Sequence, residues 1–239
     1  MKKLAGLFLA LTMMIILAAC GANQEDPETA SNSQNQELAA AQGEDAANQG
    51  TSAPESGATE DHILIAYFSW ADNAEITGEV DAVASPSVTE PGHVAQLASW
   101  VQEETDGDLF SIQVTEPYSS DWDECLERAN QERSENARPA LTATVDHIED
   151  FDVVFLGYPN WWYGAPMALL SFIEENDLSD KQIYLFCSHG TGGLAGSVED
   201  IQAVLPESAV LSEQVFDVYE EDAAASQADI QSWLEELGY

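Results

Sequence analysis

From residue 61 onward the chain alternates short apolar runs with longer stretches whose apolar residues recur every three or four positions. Residues 62–68 (HILIAYF) are almost wholly apolar, as expected of a strand covered on both faces. Residues 152–157 and 182–187 have the same character, residues 109–114 alternate, and residues 209–211 form a shorter run. Between them, residues 94–104 carry Val94, Leu97, Ala98 and Val101 at the i, i+3, i+4, i+7 spacing of a one-sided helix. Helices are also predicted over 122–137 (polar), 165–174 (apolar), 198–205 (ending at Pro206) and 223–237, the last with Ile230, Trp233, Leu234 and Leu237 on one face.

Five strands alternating with five helices predict an α/β domain, a three-layer, doubly wound, five-stranded parallel sheet. Right-handed crossovers make 2-1-3-4-5 the natural strand order, with a ligand crevice at the carboxyl ends of strands 1 and 3.

The first sixty residues follow other rules. Lys2 and Lys3 precede an apolar run from Leu4 to Leu17, too short to span a bilayer comfortably, which ends in Leu17-Ala18-Ala19-Cys20. Residues 1–20 therefore read as an export signal, and its end resembles the bacterial lipoprotein box. That resemblance implies a lipid on Cys20 and an anchor on the outer face of a bacterial membrane. Residues 21–60 contain no aromatic residue and are rich in Ala, Asn, Gln, Glu, Ser and Gly. They cannot bury enough apolar surface to offset chain entropy and are expected to form an acidic, disordered tether to a domain at 61–239.

Charge narrows the partners. Six Lys and Arg stand against 44 Asp and Glu, a net charge of −38, and beyond residue 60 only Arg128, Arg133, Arg138 and Lys181 are basic. Nucleic acid and electrostatic docking on anionic lipid are excluded, so the lipid is the only expected membrane contact. Cys125 and Cys187 have no metal-binding spacing and are expected to be unpaired core thiols.

Three predicted strand-end loops hold the candidate chemistry. After strand 1 comes Ser69-Trp70-Ala71, and Gly92-His93-Val94 opens the next helix. After strand 3 comes Pro159-Asn160-Trp161-Trp162-Tyr163, within the pattern P-x-W-W-x-x-x-P-x-x-L. After strand 4 comes Ser188-His189-Gly190-Thr191-Gly192-Gly193, where glycines allow close backbone approach. Together they resemble the flavodoxin-like superfamily. The first two triplets resemble its phosphate loop, T/S-x-T-G-x-T, interrupted by an insertion at residues 72–91, with Ala71 and Val94 in place of hydroxyl residues. The second loop is similar to that of flavodoxins and related quinone reductases. The resemblance implies flavin mononucleotide (FMN) as cofactor, with all seventeen loop residues as its candidate contacts. One of Trp161 and Trp162 is expected to face the flat ring and the other to cap the sheet. Glu116-Pro117-Tyr118 reads as a turn.

The leading expectation is an electron carrier with a redox partner protein and no catalytic side chain. A flavin oxidoreductase acting on quinone-like molecules is the second, and a non-redox module using the same crevice is the third. Hydrolysis has no support, because a G-x-S-x-G elbow is missing and the four histidines are scattered.

Overall fold

The computed structural model describes residues 61–76, 80 and 85–239. The export signal, Cys20, the tether and part of the 72–91 insertion lie outside the described residues.

The main sheet contains β1 (Ile63–Tyr67), β2 (Asp108–Ser111), β3 (Val153–Pro159), β4 (Gln182–His189), β5 (Val210–Leu211) and β6 (Phe216–Tyr219). All pairings in it are parallel, in the order β2-β1-β3-β4, with β5 and β6 both on the outer edge of β4. The expected order is thus present, but the fifth strand is split. Its first piece pairs with Gln182 and Ile183, its second with Phe186 to His189, and residues 212–215 bridge the gap. The second piece was missed because only its inner residue Phe216 is buried, a weak signal over four residues. The main helices are α1 (His93–Thr105), α2 (Trp122–Glu135), α3 (Met167–Glu175), α4 (Ser197–Val204) and α5 (Gln227–Leu237). The second strand stops at Ser111, short of the expected residue 114. Val114 instead forms an isolated antiparallel bridge with Leu141.

Because side chains alternate along a strand, each central strand feeds two cores. Leu64, Ala66, Val154, Leu156, Tyr158, Ile183, Leu185 and Cys187 face one side, with Leu169 and Phe172 of α3 and Ile201 of α4. Ile65, Val153, Phe155 and Phe186 face the other, against Val94, Leu97 and Val101 of α1 and Ile230, Trp233 and Leu234 of α5. This explains the near-continuous apolar strands: neither face meets water.

All four cations of this region are committed to holding segments together. Arg128 lies over the Tyr118 ring at 3.9 Å, pairs with Glu132 and donates to the carbonyls of Glu116 and Pro117. Arg133 pairs with Asp200, and Arg138 with Glu174. Lys181 donates to the Phe151 carbonyl.

Candidate cofactor-binding cleft

The carboxyl ends of β1, β3 and β4 converge on a cleft of about 300 Å³. Its walls include Trp70 from the first loop, Pro159 to Tyr163 from the second, and Ser188 to Gly193 from the third. The three predicted loops therefore meet at one sheet edge, the switch point where winding reverses.

In the second loop, Trp161 and Gly164 exchange backbone hydrogen bonds, both 3.0 Å, around a two-residue turn. The central residues, Trp162 and Tyr163, have φ of 51° and 61°. Both lie in the left-handed region that a type I′ turn requires and that normally selects Asn or Gly. Bulky residues there carry strain of about 1–2 kcal/mol each. Trp162 is 41% and Tyr163 65% exposed, so both rings stand at the cleft mouth. Trp161 points inward, edge-on to Phe68, Trp70 and Tyr118 with centroids 5.2, 6.0 and 5.1 Å away. The adjacent tryptophans thus differ: Trp161 packs into the aromatic cluster, and Trp162 stands exposed at the cleft mouth. Tyr118 is fully buried beneath Trp161, so the Glu116-Pro117-Tyr118 segment supports the wall and does not line it.

The third loop is tied to the second through Asn160. Its amide donates to the Ser188 carbonyl at 2.9 Å and its side-chain amide to the Gly193 carbonyl. Asn160 Oδ1 is buried and has no donor. Gly193 takes φ +60°, and a side chain at Gly192 would run into the Tyr163 ring. His189 places Nδ1 2.8 Å from the Gly190 carbonyl and Nε2 2.9 Å from Asp217, both acceptors.

The first loop is closed. Ser69, Ala71 and Gly92 meet: a Cβ on Gly92 would lie 2.8 Å from Ala71 Cβ and 2.9 Å from Ser69 Oγ, and Gly92 has φ +69°. Gly92 lies beside Ser69 and Ala71 although twenty positions separate it from Ala71 in the sequence. The first residues of the expected insertion are ordered against the domain. Trp70–Asn73 is a helical turn, Asp72 accepts from Ser111 Oγ at 2.5 Å, and Ala74–Glu75 pairs with Tyr118–Ser119. Asn73 donates to the carbonyls of Ser69 and Ile112 and accepts from the Val114 amide. Ser69 Oγ is buried without a partner. Ser69, Ala71, Gly92, His93 and Val94 do not line the open cleft. Val94 is 2% exposed within the α1–α5 core, so its side chain is no substitute for a ligand-facing hydroxyl. His93 is half-buried, its Nδ1 3.5 Å from Ser87 Oγ, and desolvation lowers its pKa.

The sequence reading missed the cleft's far wall. Trp122, Cys125, Leu126 and Ala129 of α2 line it, and so do Ser87, Tyr219 and Glu220. The four α2 residues are spaced i, i+3, i+4, i+7, a legible stripe in a helix otherwise read as polar. Cys125 and Cys187 are free and buried, as expected. Burial pushes the Cys125 thiol up to about 12, leaving no thiolate for nucleophilic chemistry at neutral pH.

A family model described as Flavodoxin matches residues 62–237. Among solved structures, a protein of Bacteroides eggerthii assigned as a flavoprotein is similar at 26% identity and TM-score 0.51, covering 74% of this chain and 98% of its own. One of Bacteroides uniformis, likewise assigned, is 23% identical with TM-score 0.56, covering 73% and 98%. A flavoprotein of Lactobacillus acidophilus solved in complex with FMN is 14% identical with TM-score 0.51, covering 70% and 99%. No curated protein matches the chain. With the family match running from the first strand to the last helix and the sheet order in agreement, the chain belongs to the flavodoxin family.

Proposed function

We propose that this protein is an exported, lipid-anchored electron carrier that holds FMN in the cleft between the Trp162–Tyr163 turn and the glycine loop. The observation that carries the reading is the convergence of the second and third strand-end loops, with Trp70 of the first, on one cleft with an aromatic mouth. The residues present fit the cofactor. Trp162 offers an exposed face to a planar ring. The glycine loop offers backbone, and Asn160 Oδ1 is a buried acceptor waiting for a donor. At the other end, Ser69 Oγ is a buried hydroxyl without a partner, beside the first turn of α1, whose leading amides have no intrahelical acceptor. Among the described residues no Lys or Arg is free for a phosphate, so hydroxyl and backbone N–H groups carry that role.

When bound, FMN supplies reversible electron transfer. The chain's own residues bind and orient it. Trp161 and its aromatic neighbours brace the turn, Asn160 fixes the spacing of the two loops, and the apolar α2 wall keeps water from one side. Lys2, Lys3, the short apolar run and Cys20 support the exported, anchored placement. The purified full chain mixed with FMN should keep a flavin absorption band through gel filtration, about one per chain. That band should bleach on anaerobic reduction and return on reoxidation. A colourless chain after filtration overturns the reading.

The α2 stripe of Trp122, Cys125, Leu126 and Ala129 favours a second reading, an oxidoreductase taking a small apolar quinone-like molecule beside the cofactor. Steady-state turnover of a soluble quinone with a chemical reductant separates it from a carrier, which would show single-turnover exchange only.

A further inference from the structure

We infer that Arg133 and Asp200 are positioning residues that hold the strained Trp162–Tyr163 turn in its ligand-facing form, an inference resting on the FMN reading of the cleft. The two strained residues are central in a turn whose own bonds join only Trp161 and Gly164. A strained conformation persists only where its surroundings over-determine it. Beside the aromatic packing of Trp161, the surroundings include one ion pair set against the turn's end. Arg133, near the end of α2, donates from Nη1 to Asp200 Oδ2 at 2.7 Å and from Nη2 to Oδ1 at 3.2 Å, a two-pronged contact between planar groups. Asp200 Oδ2 also accepts from the Ala165 amide at 3.1 Å, directly after the turn.

Gly164 completes the device. A Cβ there would collide with the Arg133 guanidinium and with Asp200 Oδ2, so the ion pair lies against bare backbone. The turn's other flank is held from the same helix: the Gly196 amide, just before α4, donates to the Tyr163 carbonyl at 3.2 Å. Asp200 stands in the first turn of α4, where a carboxylate is also favoured by the helix dipole. Neither side chain lines the cleft, so neither touches a ligand there. One of the region's four cations thus fixes the aromatic wall while remaining outside the site.

The test compares Arg133→Ala, Gly164→Ala and the double variant in the full chain, with two readouts. The first needs no flavin: hydrogen exchange at the Ala165 and Gly196 amides. Each single variant should speed exchange there about tenfold or more, while β3 and β4 amides and the melting temperature stay close to wild type. The second is FMN affinity and the visible circular dichroism of the bound flavin. Each single variant should weaken binding about tenfold, 1.4 kcal/mol, and change the dichroism. The double variant should be no worse than either single one, since without the guanidinium the Gly164→Ala methyl meets less opposition. Should Arg133→Ala not fold, Asp200→Asn reads the same pair with its shape retained. Wild-type exchange at both amides, unchanged FMN affinity, or fully additive losses would overturn the inference. If the amides respond but the wild-type chain binds no FMN, the clamp stands and the flavin reading falls.

Discussion

The loop after β1 and the loop after β3 meet the same cleft with opposite surfaces. The first is closed: Ser69 and Ala71 are buried against Gly92, and Asn73 spends both its amide hydrogens on backbone carbonyls. The second is open: Trp162 and Tyr163 stand in solvent on a strained turn. An apolar packing problem shapes the first loop, and a recognition problem shapes the second. The lesson is that conformational strain and exposed aromatic surface collect at the ring end, while the end suited to phosphate relies on two small residues and backbone.

The largest expected effect separates neighbours inside the open loop. Trp161→Ala removes the ring that Phe68, Trp70 and Tyr118 pack against. It should cost about 3–5 kcal/mol. For a domain of this size that lowers the melting temperature by roughly 6–20 °C, read by far-ultraviolet circular dichroism. Trp162→Asn should do the reverse. Asn tolerates the left-handed region, so stability should hold or rise by up to about 1 kcal/mol. FMN affinity should nevertheless fall up to about tenfold as the stacking face is lost. If both variants lose stability equally, the division between bracing and contact ring is wrong.

The next effects probe the closed loop. Gly92→Ala places a methyl against Ala71 and Ser69 at positive φ. It should destabilise by at least about 1–2 kcal/mol in the same melting experiment. Ala71→Ser and Val94→Thr restore hydroxyls at the two degraded motif positions, yet their outcomes should differ. Ala71 borders Ser69 and Gly92, so its serine should tighten FMN by about 1.5 kcal/mol, roughly tenfold by titration. Val94 faces the α1–α5 core, so its threonine should cost about 1–3 kcal/mol of stability with no gain in affinity.

The smallest effect concerns pH. Desolvation lowers the His93 pKa below the ordinary histidine value. The unfolded chain therefore takes up a proton there before the folded one does, and stability falls as pH drops below about 6.5. His93→Gln should flatten that part of the stability curve, measured by urea unfolding at pH 5.5 and 7.5. An unchanged slope would remove His93 from the account.

The same contrast explains what the sequence revealed. Strands 1, 3 and 4 were legible because both their faces are buried, which leaves unbroken apolar runs. The loops of the cleft were legible because Trp, Gly and Pro cluster there for want of other uses. Three things were not. The second half of the fifth strand is an edge piece with only Phe216 buried. The α2 wall is four apolar residues in a helix dominated by charge, so its stripe was outweighed by its average. The roles of Trp161 and Trp162 depend on two left-handed residues that no local pattern announces.

The central claim is that one cleft holds both ends of a phosphorylated flavin. Titrating the full chain with FMN and, separately, with riboflavin, and following quenching of flavin fluorescence, addresses it most directly. The account predicts that both quench at one equivalent per chain and that FMN binds more tightly, by a factor that shrinks in Gly92→Ala but not in Trp162→Asn. No quenching by either compound at millimolar concentration, or equal affinities for the two, would contradict it.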